Sequence, residues 1–142
     1  MIWFNKDFNI SEYILMGQNT LVDHLGIEFT ELGDDYLKAK MPVDFRTVQP
    51  MRLLHGGASV ALAETMGSVA SFLYVDTSKF YCVGQSINAS HIKSAKEGEF
   101  VTGIAKPLHL GKKSHVWNIE IKNENNLLVC VCRLTMAIIT VK

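Results

Sequence analysis

The sequence predicts an α+β fold in which one long helix packs against an antiparallel β-sheet. Three patterns lead to this class: a hairpin pattern over residues 27–43, a helical pattern over residues 57–75, and four apolar or alternating segments that follow it. The chain has 142 residues, of which 48% are hydrophobic and 20% are charged. This length and composition predict a single domain, residues 1–142, with a substantial core.

The elements before the long helix follow from periodicity and turn residues. Residues 10–24 have a broken helical pattern, which predicts one or two short helices. A Gly-Asp-Asp sequence at residues 33–35 separates two alternating segments and predicts a hairpin turn. Residues 44–54 surround Pro50 and predict a loop that leads into the helix.

The part after the helix is predicted to form four strands. In one of them Trp117, Ile119 and Ile121 share a face with a period of two residues. The connections are short, which predicts that consecutive strands are antiparallel neighbours. The final segment is apolar on both faces and is expected inside the sheet rather than at its edge. The predicted strands cover residues 81–94, 99–108, 114–123 and 127–141.

The composition argues against several kinds of partner and location. The net charge is zero, whereas a general nucleic-acid or membrane-surface binder is usually basic. The first ten residues lack the apolar core of a signal peptide, and Glu64 in the apolar helix would be costly inside a membrane. A cytoplasmic protein is therefore expected, without nucleic-acid or membrane partners.

The three cysteines form no even disulfide framework, so reduced thiols are expected. Cys130 and Cys132 alternate in an apolar run, which favours one face of a strand and leaves a metal pair as the less favoured alternative. The five histidines show no tight ligand spacing either, so no metal site is predicted.

The long helix has two different faces. One is a stripe at helical spacing that predicts the core contact: Leu62, Met66, Val69 and Leu73. The second, called the small stripe here, contains small and polar residues: Gly57, Ala61, Glu64, Ser68 and Ser71. Because small side chains let another backbone come close, the small stripe predicts a contact with a partner subunit.

Glu64 is the only acidic residue between positions 55 and 75. A carboxylate removed from water can act as a general base or a nucleophile near neutral pH, and Ser68, one turn later, would hold a water molecule. The alternative is a structural carboxylate that a serine and a backbone group satisfy, or one that points into solvent. Helix position alone favours this alternative.

The start of the helix favours the catalytic interpretation. Free N–H groups at a helix N-terminus bind oxyanions, so His55-Gly56-Gly57 would stabilise the tetrahedral state of acyl transfer. The alternative is a Gly-Gly turn that only joins the loop to the helix. Gly56 and Glu64 are eight residues apart, which is about 12 Å along a helix. Catalysis would therefore require a dimer in which antiparallel helices complete two shared sites.

A series of motifs runs through almost the whole chain. They are MPVDFRTVQP at 41–50, LLHGGASVALAETMGS at 53–68, INASH at 87–91, KPLHLG at 106–111 and VWNIEI at 116–121. Together they resemble the hotdog-fold acyl-CoA thioesterases of the 4-hydroxybenzoyl-CoA thioesterase class. Within that class they are most similar to the 1,4-dihydroxy-2-naphthoyl-CoA hydrolases of menaquinone synthesis and to the proofreading thioesterases of enterobactin synthesis. The resemblance implies the hotdog fold, an antiparallel sheet wrapped around one long central helix.

The resemblance also implies a catalytic set. The helix carboxylate, nucleophile or general base in that family, matches Glu64, and the serine one turn later matches Ser68. The HGG histidine matches His55, the N–H that polarises the thioester carbonyl is that of Gly56, and the glutamine before the proline matches Gln49. Gln49, His55 and Gly56 are expected on one subunit, and Glu64 and Ser68 on the other. The family forms homodimers that pair into tetramers, and needs no cofactor besides the CoA of its substrate.

Basic residues collect in the second half of the chain. Residues 91–115 hold five lysines and three histidines against two acids, and flexible lysines at strand ends suit phosphates. The alternative is solvated charge on hairpins. The resemblance favours binding of an acyl-CoA substrate, with contacts from Thr65, Gly84, His91, Ile92, Lys93, Ser94, His109, Leu110, Gly111, Lys112 and Lys113.

Two segments depart from the family pattern and leave the acyl group open. Met51 and Arg52 stand where relatives have an aromatic residue and a glycine, and residues 84–88 read GQSIN where many relatives have GLEIN. Two other functions are alternatives: a hotdog dehydratase or hydratase, which lacks the Q-P-x-x-L-L-H-G-G pattern, and a non-catalytic acyl-CoA-binding module. The leading prediction is a metal-free acyl-CoA thioesterase that acts on an aromatic or other acyl group.

Overall fold

The computed structural model describes all 142 residues and contains three helices and six strands. The predicted α+β class is confirmed, and the long helix begins one residue before its predicted start. In chain order the elements are α1 (Ile10–Met16), α2 (Leu21–His24), β1 (Glu28–Leu32), β2 (Leu37–Pro42), α3 (Gly56–Tyr74), β3 (Phe80–His91), β4 (Phe100–Leu110), β5 (Ser114–Lys122) and β6 (Leu128–Thr140).

The strands form one antiparallel sheet in the order β1-β2-β4-β5-β6-β3. The hairpins β1–β2, β4–β5 and β5–β6 pair as their short turns predict. β6 lies inside the sheet, also as predicted, because it pairs with both β5 and β3. β3 lies at an edge, so one side of it has no strand neighbour.

The prediction that β3 and β4 are neighbours is wrong. β4 pairs with β2 and β5, whereas β3 pairs only with β6. The connecting residues 92–99 must therefore pass β6 and β5, which is three interstrand steps of about 4.8 Å each. Eight extended residues span this distance easily, since each covers about 3.3 Å. A short connection limits the distance between two strands but does not make them neighbours.

α3 packs its apolar stripe against the sheet, the arrangement expected of a hotdog fold. Leu62, Met66, Val69 and Leu73 are each at most 4% exposed and belong to a core cluster of 26 buried residues. Full burial of each such side chain contributes about 1.5–3 kcal/mol, so this stripe determines which face of α3 meets the sheet. Although α3 has 19 residues, neither it nor any other helix is long and apolar enough to cross a membrane.

The small stripe of α3 is only partly as predicted. Gly57, Ala61, Glu64 and Ser68 are half-buried or exposed within the chain, so a partner can approach them. The placement of Ser71 on this stripe is wrong, because its side chain is buried against the sheet. A seven-residue spacing drifts by about 20° per repeat on a straight helix. After two such repeats the stripe has turned about 40° toward the core.

Candidate active site

The N-terminus of α3 leaves one backbone donor free. His55 caps the helix, since its Nδ1 accepts a hydrogen bond from the N–H of Gly57 at 2.8 Å. The His55 carbonyl accepts hydrogen bonds from Ala58 and Ser59. The N–H of Gly56 has no hydrogen-bond partner in the chain. The helix dipole also favours negative charge here, so the Gly56 N–H is available as a donor to an anionic oxygen.

The loop before α3 carries Gln49 back toward the cap. The N–H of Gln49 donates to the Leu53 carbonyl at 2.8 Å, and the N–H of His55 donates to the Thr47 carbonyl at 2.8 Å. These bonds fold residues 47–55 into a narrow hairpin-like loop. The side-chain Oε1 of Gln49 accepts a hydrogen bond from the Met51 N–H, which leaves the amide NH₂ group as a donor for another partner.

Arg52 explains one departure from the family pattern. Its φ of 64° lies in the left-handed region, where glycine is favoured and a side chain adds strain. The glycine that the family resemblance leads one to expect here would fit this backbone conformation without strain. The guanidinium of Arg52 pairs with Glu97, and Leu53 forms a bridge with Lys96. These two contacts tie the loop to the connection between β3 and β4.

His91 lies directly against Gly56. A β-carbon on residue 56 would come within 2.9 Å of Cε1 and Nε2 of His91, so the close approach of the imidazole requires glycine here. His91 is the last residue of β3 and is exposed. The free N–H of Gly56 and the side chains of His55 and His91 therefore share one end of α3.

Glu64 lies two turns further along α3, against Gly84 of β3. A β-carbon on residue 84 would be 2.3 Å from Glu64 Oε1, so only glycine leaves room for the carboxylate. Glu64 is half-buried and makes no ion pair or hydrogen bond through its side chain within the chain. The alternative of a carboxylate satisfied by a serine is not supported, because Ser68 Oγ instead lies 3.7 Å from Met136 Sδ.

The two hydroxyl groups near Glu64 differ in availability. Thr65 Oγ1 donates a hydrogen bond to the Ala61 carbonyl at 2.7 Å and is engaged within the helix. The only partner of Ser68 Oγ is a methionine sulfur, which is a weak acceptor. Ser68 can therefore exchange this contact for a water molecule or a substrate, whereas the hydroxyl proton of Thr65 is already donated to the Ala61 carbonyl.

The two halves of the predicted site do not meet within one chain. Gly56 lies against His91, whereas Glu64 lies against Gly84, at separate positions along the same helix and strand. The eight residues between Gly56 and Glu64 correspond to about 12 Å. One chain thus presents an unpaired backbone N–H at the start of α3 and an unpartnered carboxylate in the middle of α3.

The residues predicted to bind CoA are also divided between two regions. Residues 91–94 follow the end of β3, next to the start of α3. Residues 109–113, the end of β4 and the β4–β5 turn, lie at the opposite end, where Ser114, Ala137 and Val83 form a row of paired residues across the sheet. Two interstrand steps, about 10 Å, separate this turn from the region of Gly84. The chain thus brings residues 109–113 toward Gly84 and not toward His91.

A groove of about 1370 Å³ borders the β4–β5 turn at the C-terminal end of α3. Three lysines and one aspartate line it: Lys6, Lys112, Lys113 and Asp76. Aromatic side chains supply much of its apolar wall: Trp3, Phe4, Tyr74 and Phe80. An excess of positive charge beside aromatic surface suits a ligand that carries both phosphates and a flat ring.

A buried polar network beside this groove was missing from the sequence predictions. His115 Nδ1 and Trp117 Nε1 lie 2.9 and 2.8 Å from Ser71 Oγ. Because the indole only donates, the Ser71 hydroxyl accepts from Trp117, and its second hydrogen bond joins it to His115 Nδ1. Burial, with a smaller effect of His109, lowers the pKa of His115 to about 4. The sequence did contain a signal that His115 is buried, since it alternates in phase with Trp117 and Ile119 on the inward face of β5.

Similarity to known proteins extends over almost the whole chain. The sequence profile of the Thioesterase superfamily matches residues 51–130, more than half of the chain. The chain is 50% identical over 139 residues to the 1,4-dihydroxy-2-naphthoyl-CoA hydrolase of Escherichia coli, covering 98% of this chain and 100% of that protein.

Solved structures show the same similarity. A mutant thioesterase from Pseudomonas aeruginosa superposes with a TM-score of 0.96 at 43% identity, covering 99% of this chain and 100% of that one. A thioesterase from Haemophilus influenzae superposes with a TM-score of 0.93 at 45% identity, covering 99% of this chain and 96% of that one.

Proposed function

The chain belongs to the thioesterase superfamily, and we propose that it hydrolyses an acyl-CoA thioester to the free acid and CoA in active sites shared by two subunits. The observation that carries the proposal is a pair of contacts along α3. The unpartnered carboxylate of Glu64 lies against Gly84, and the free N–H of Gly56 lies beside His91. The two groups have complementary roles in acyl transfer, and only a second copy of the chain can bring them together.

The unpaired edge of β3 provides a way to build the shared site. β3 has 12 residues and pairs with β6 on one side only. Two β3 strands can pair antiparallel so that Gly84 of one lies opposite the partner's His91. Since Glu64 lies against Gly84 and Gly56 lies against His91, this register brings Glu64 of one subunit to Gly56 of the other.

The same β3–β3 register would bring the predicted CoA-binding segments of the two subunits close together. The partner's residues 91–94 come to lie beside Gly84, and the β4–β5 turn lies about 10 Å away across the sheet. Lys112 and Lys113, at the wall of the large groove, would meet the phosphates of CoA as mobile point charges. The pairing of two dimers into a tetramer, which the family resemblance implies, is part of the proposal.

The chemistry requires an oxygen nucleophile and a stabilised oxyanion. Glu64 either attacks the thioester carbon to form an anhydride, which water then hydrolyses, or removes a proton from an attacking water molecule. The carbonyl oxygen becomes negative and accepts a hydrogen bond from the partner's Gly56 N–H. The carbon–sulfur bond then breaks, CoA leaves as a thiolate that takes up a proton, and water supplies the new oxygen of the acid.

Three further residues position the reactants. Because Nδ1 of His55 is occupied by the cap, its Nε2 carries the proton and can donate toward the thioester carbonyl. The free NH₂ group of Gln49 and the hydroxyl of Ser68 would hold the substrate and the water. No metal takes part in the proposed reaction. We include an aromatic acyl group, similar to 1,4-dihydroxy-2-naphthoyl, and hence a role in menaquinone biosynthesis, because the Escherichia coli relative is 50% identical.

Replacement of the carboxylate tests this function. Glu64→Gln and Glu64→Ala are expected to lower kcat about 10²–10⁴-fold, the usual contribution of a general base, with acyl-CoA binding retained. Glu120→Gln, on β5 away from the site, is the matched control and should keep wild-type kcat. The assay uses a panel of aromatic, β-keto and fatty acyl thioesters of CoA and of acyl carrier protein. A wild type that hydrolyses none of them would contradict the proposal and leave an acyl-CoA-binding module.

Oxygen-18 labelling tests whether Glu64 acts as a nucleophile. A single turnover in labelled water introduces the label into the enzyme only if an anhydride forms at Glu64. Label found only in the released acid fits a general base and also an anhydride that water opens at the acyl carbon, so only label in the enzyme decides for the nucleophile. Mass spectrometry of the peptide that contains Glu64 gives the answer.

A further inference from the structure

The imidazole of His91 takes no part in the bond-breaking steps of the proposed reaction, although it lies at the oxyanion donor. Its Cε1 and Nε2 would both come within 2.9 Å of a β-carbon on Gly56. The ring nitrogens of His55 and His115 form hydrogen bonds within the chain, whereas those of His91 form none. The imidazole is therefore free to act on a bound ligand.

The backbone around His91 is held firmly, while its side chain is not. His91 ends β3 and is paired with Cys130 of β6, which is fully buried. The N–H groups of Ile92 and Lys93, directly after it, donate to the Val129 carbonyl at 2.8 and 3.3 Å. These bonds fix the direction in which the side chain leaves the sheet. Because the imidazole is exposed, it can still exchange protons with water.

The position of His91 places it on the coenzyme side of a bound thioester. The sulfur and the carbonyl oxygen of a thioester are bonded to the same carbon. With the oxygen on the Gly56 N–H and the CoA arm along residues 91–94, the sulfur lies between these two points. The imidazole, which touches Gly56 and begins the segment 91–94, is then the side chain next to the sulfur.

The departing sulfur needs a proton that Glu64 cannot supply on one of its two proposed routes. If the carboxylate attacks the thioester, it becomes part of the anhydride and carries no proton while the carbon–sulfur bond breaks. An alkyl thiol such as that of cysteine has a pKa of about 8.5, so the thiolate of CoA takes up a proton at neutral pH. A separate acid beside the sulfur would therefore assist its departure.

We propose that His91 is the general acid of the reaction and that its imidazolium donates a proton to the sulfur as the carbon–sulfur bond breaks. This inference rests on the proposed thioesterase function. The electron pair of the broken bond goes to the sulfur, the proton from a ring nitrogen completes the thiol of CoA, and the imidazole is left neutral. It recovers a proton from water. His55 has a different task, because its Nδ1 is engaged in the helix cap.

Thioesters that differ only in their leaving thiol test this role. His91→Gln is assayed with the benzoyl thioesters of CoA, N-acetylcysteamine and 4-nitrothiophenol. An alkyl thiolate leaves more easily when it is protonated, whereas 4-nitrothiophenolate is stable as an anion. The kcat/KM is expected to fall about 10²–10⁴-fold for the two alkyl thioesters, the usual contribution of a general acid, and less than about 3-fold for the aryl thioester.

His24→Gln is the matched control, because it removes another exposed imidazole, on α2, and should leave all three substrates unchanged. The urea midpoint of His91→Gln should equal that of the wild type. His91→Gly is a second variant, in which external imidazole can enter the vacated space. It should restore kcat/KM for the N-acetylcysteamine thioester and have little effect on the aryl thioester.

Three results overturn the proposal. An equal loss for all three thioesters would mean that the imidazole holds the site together or binds the carbonyl oxygen. A loss confined to benzoyl-CoA would mean that His91 only binds the coenzyme. Absence of imidazole rescue in His91→Gly would show that no proton donor is missing. A wild type that hydrolyses none of the three, the activated aryl thioester included, would instead contradict the proposed function.

Discussion

Because Gly84 has no side chain, the carboxylate of Glu64 can lie directly against the backbone of β3. The carboxylate of Glu64 occupies the space that a β-carbon on residue 84 would need. The clash would involve the mobile end of a side chain and not the backbone. A larger residue at this position therefore displaces the carboxylate and costs the fold little.

Gly84→Ala is accordingly expected to lower kcat about 10- to 100-fold, because a displacement of about 1 Å at a reacting group can cost that much. The free energy of unfolding should change by less than about 1 kcal/mol. Steady-state kinetics and urea denaturation measure the two effects. Ser86→Ala, two residues further along β3, is the control and should alter neither. An unchanged kcat in Gly84→Ala would show that Gly84 does not position the carboxylate.

His115 makes the stability of the protein depend on pH. Its pKa of about 4 lies below the ordinary value of 6.5, so the unfolded chain takes up the proton first as the pH falls. The stability from a neutral His115 is thus fully present above about pH 6.5 and is lost as the pH falls toward 4, by up to about 3 kcal/mol.

His115→Asn, which cannot gain a charge, should flatten this decline between pH 7 and 4.5. His24→Asn, at an exposed position, is the control and should keep the wild-type slope. Urea denaturation at both pH values measures the free energy of unfolding. A wild-type slope in His115→Asn would mean that other groups cause the pH dependence.

At the scale of elements, α3 has three separate tasks. Its apolar stripe anchors it on the sheet, its N-terminus presents the free N–H of Gly56, and its small stripe leaves Glu64 accessible to the proposed partner subunit. The first task depends on packing along the helix, whereas the second depends on the cap that His55 forms. Stability and activity can therefore be separated at a single residue.

His55→Ala removes both the cap and the imidazole, so it should lower the free energy of unfolding by about 0.5–2 kcal/mol and also lower kcat. His55→Asn keeps a side-chain acceptor for the Gly57 N–H and should recover most of the stability without the activity. Thermal unfolding and kinetics on one thioester give the comparison. Recovery of kcat in His55→Asn would show that His55 serves only as a cap.

At the scale of the whole molecule, the proposed shared site makes assembly of two subunits a requirement for catalysis. Glu64→Gln homodimers and Gln49→Ala/His55→Ala homodimers should both be nearly inactive. After subunit exchange, each heterodimer should contain one intact and one doubly defective site, and so about half the activity of the wild-type dimer. Differently tagged subunits allow the heterodimers to be purified and assayed. Verified heterodimers without recovered activity would contradict the shared site.

Local patterns predicted the elements because periodicity and turn residues act over a few residues. The apolar stripe from Leu62 to Leu73 and the alternation around Trp117 each imply a buried face, whatever the arrangement of the elements in the tertiary structure. The two wrong predictions concern relations beyond one element. Ser71 depended on how far α3 turns relative to the sheet, and the pairing of β3 depended on strands that come later in the chain.

The sequence by itself determined the α+β class and the boundaries of α3 to within one residue, and it predicted the residues proposed to carry the chemistry, since these are properties of short segments. Only the tertiary structure decided that Gly56 keeps a free N–H, that Glu64 lies against Gly84, and that β3 has an open edge. The reason is physical. A free donor, a close approach and an unpaired edge depend on which distant residues come into contact, and only the complete packing determines those contacts.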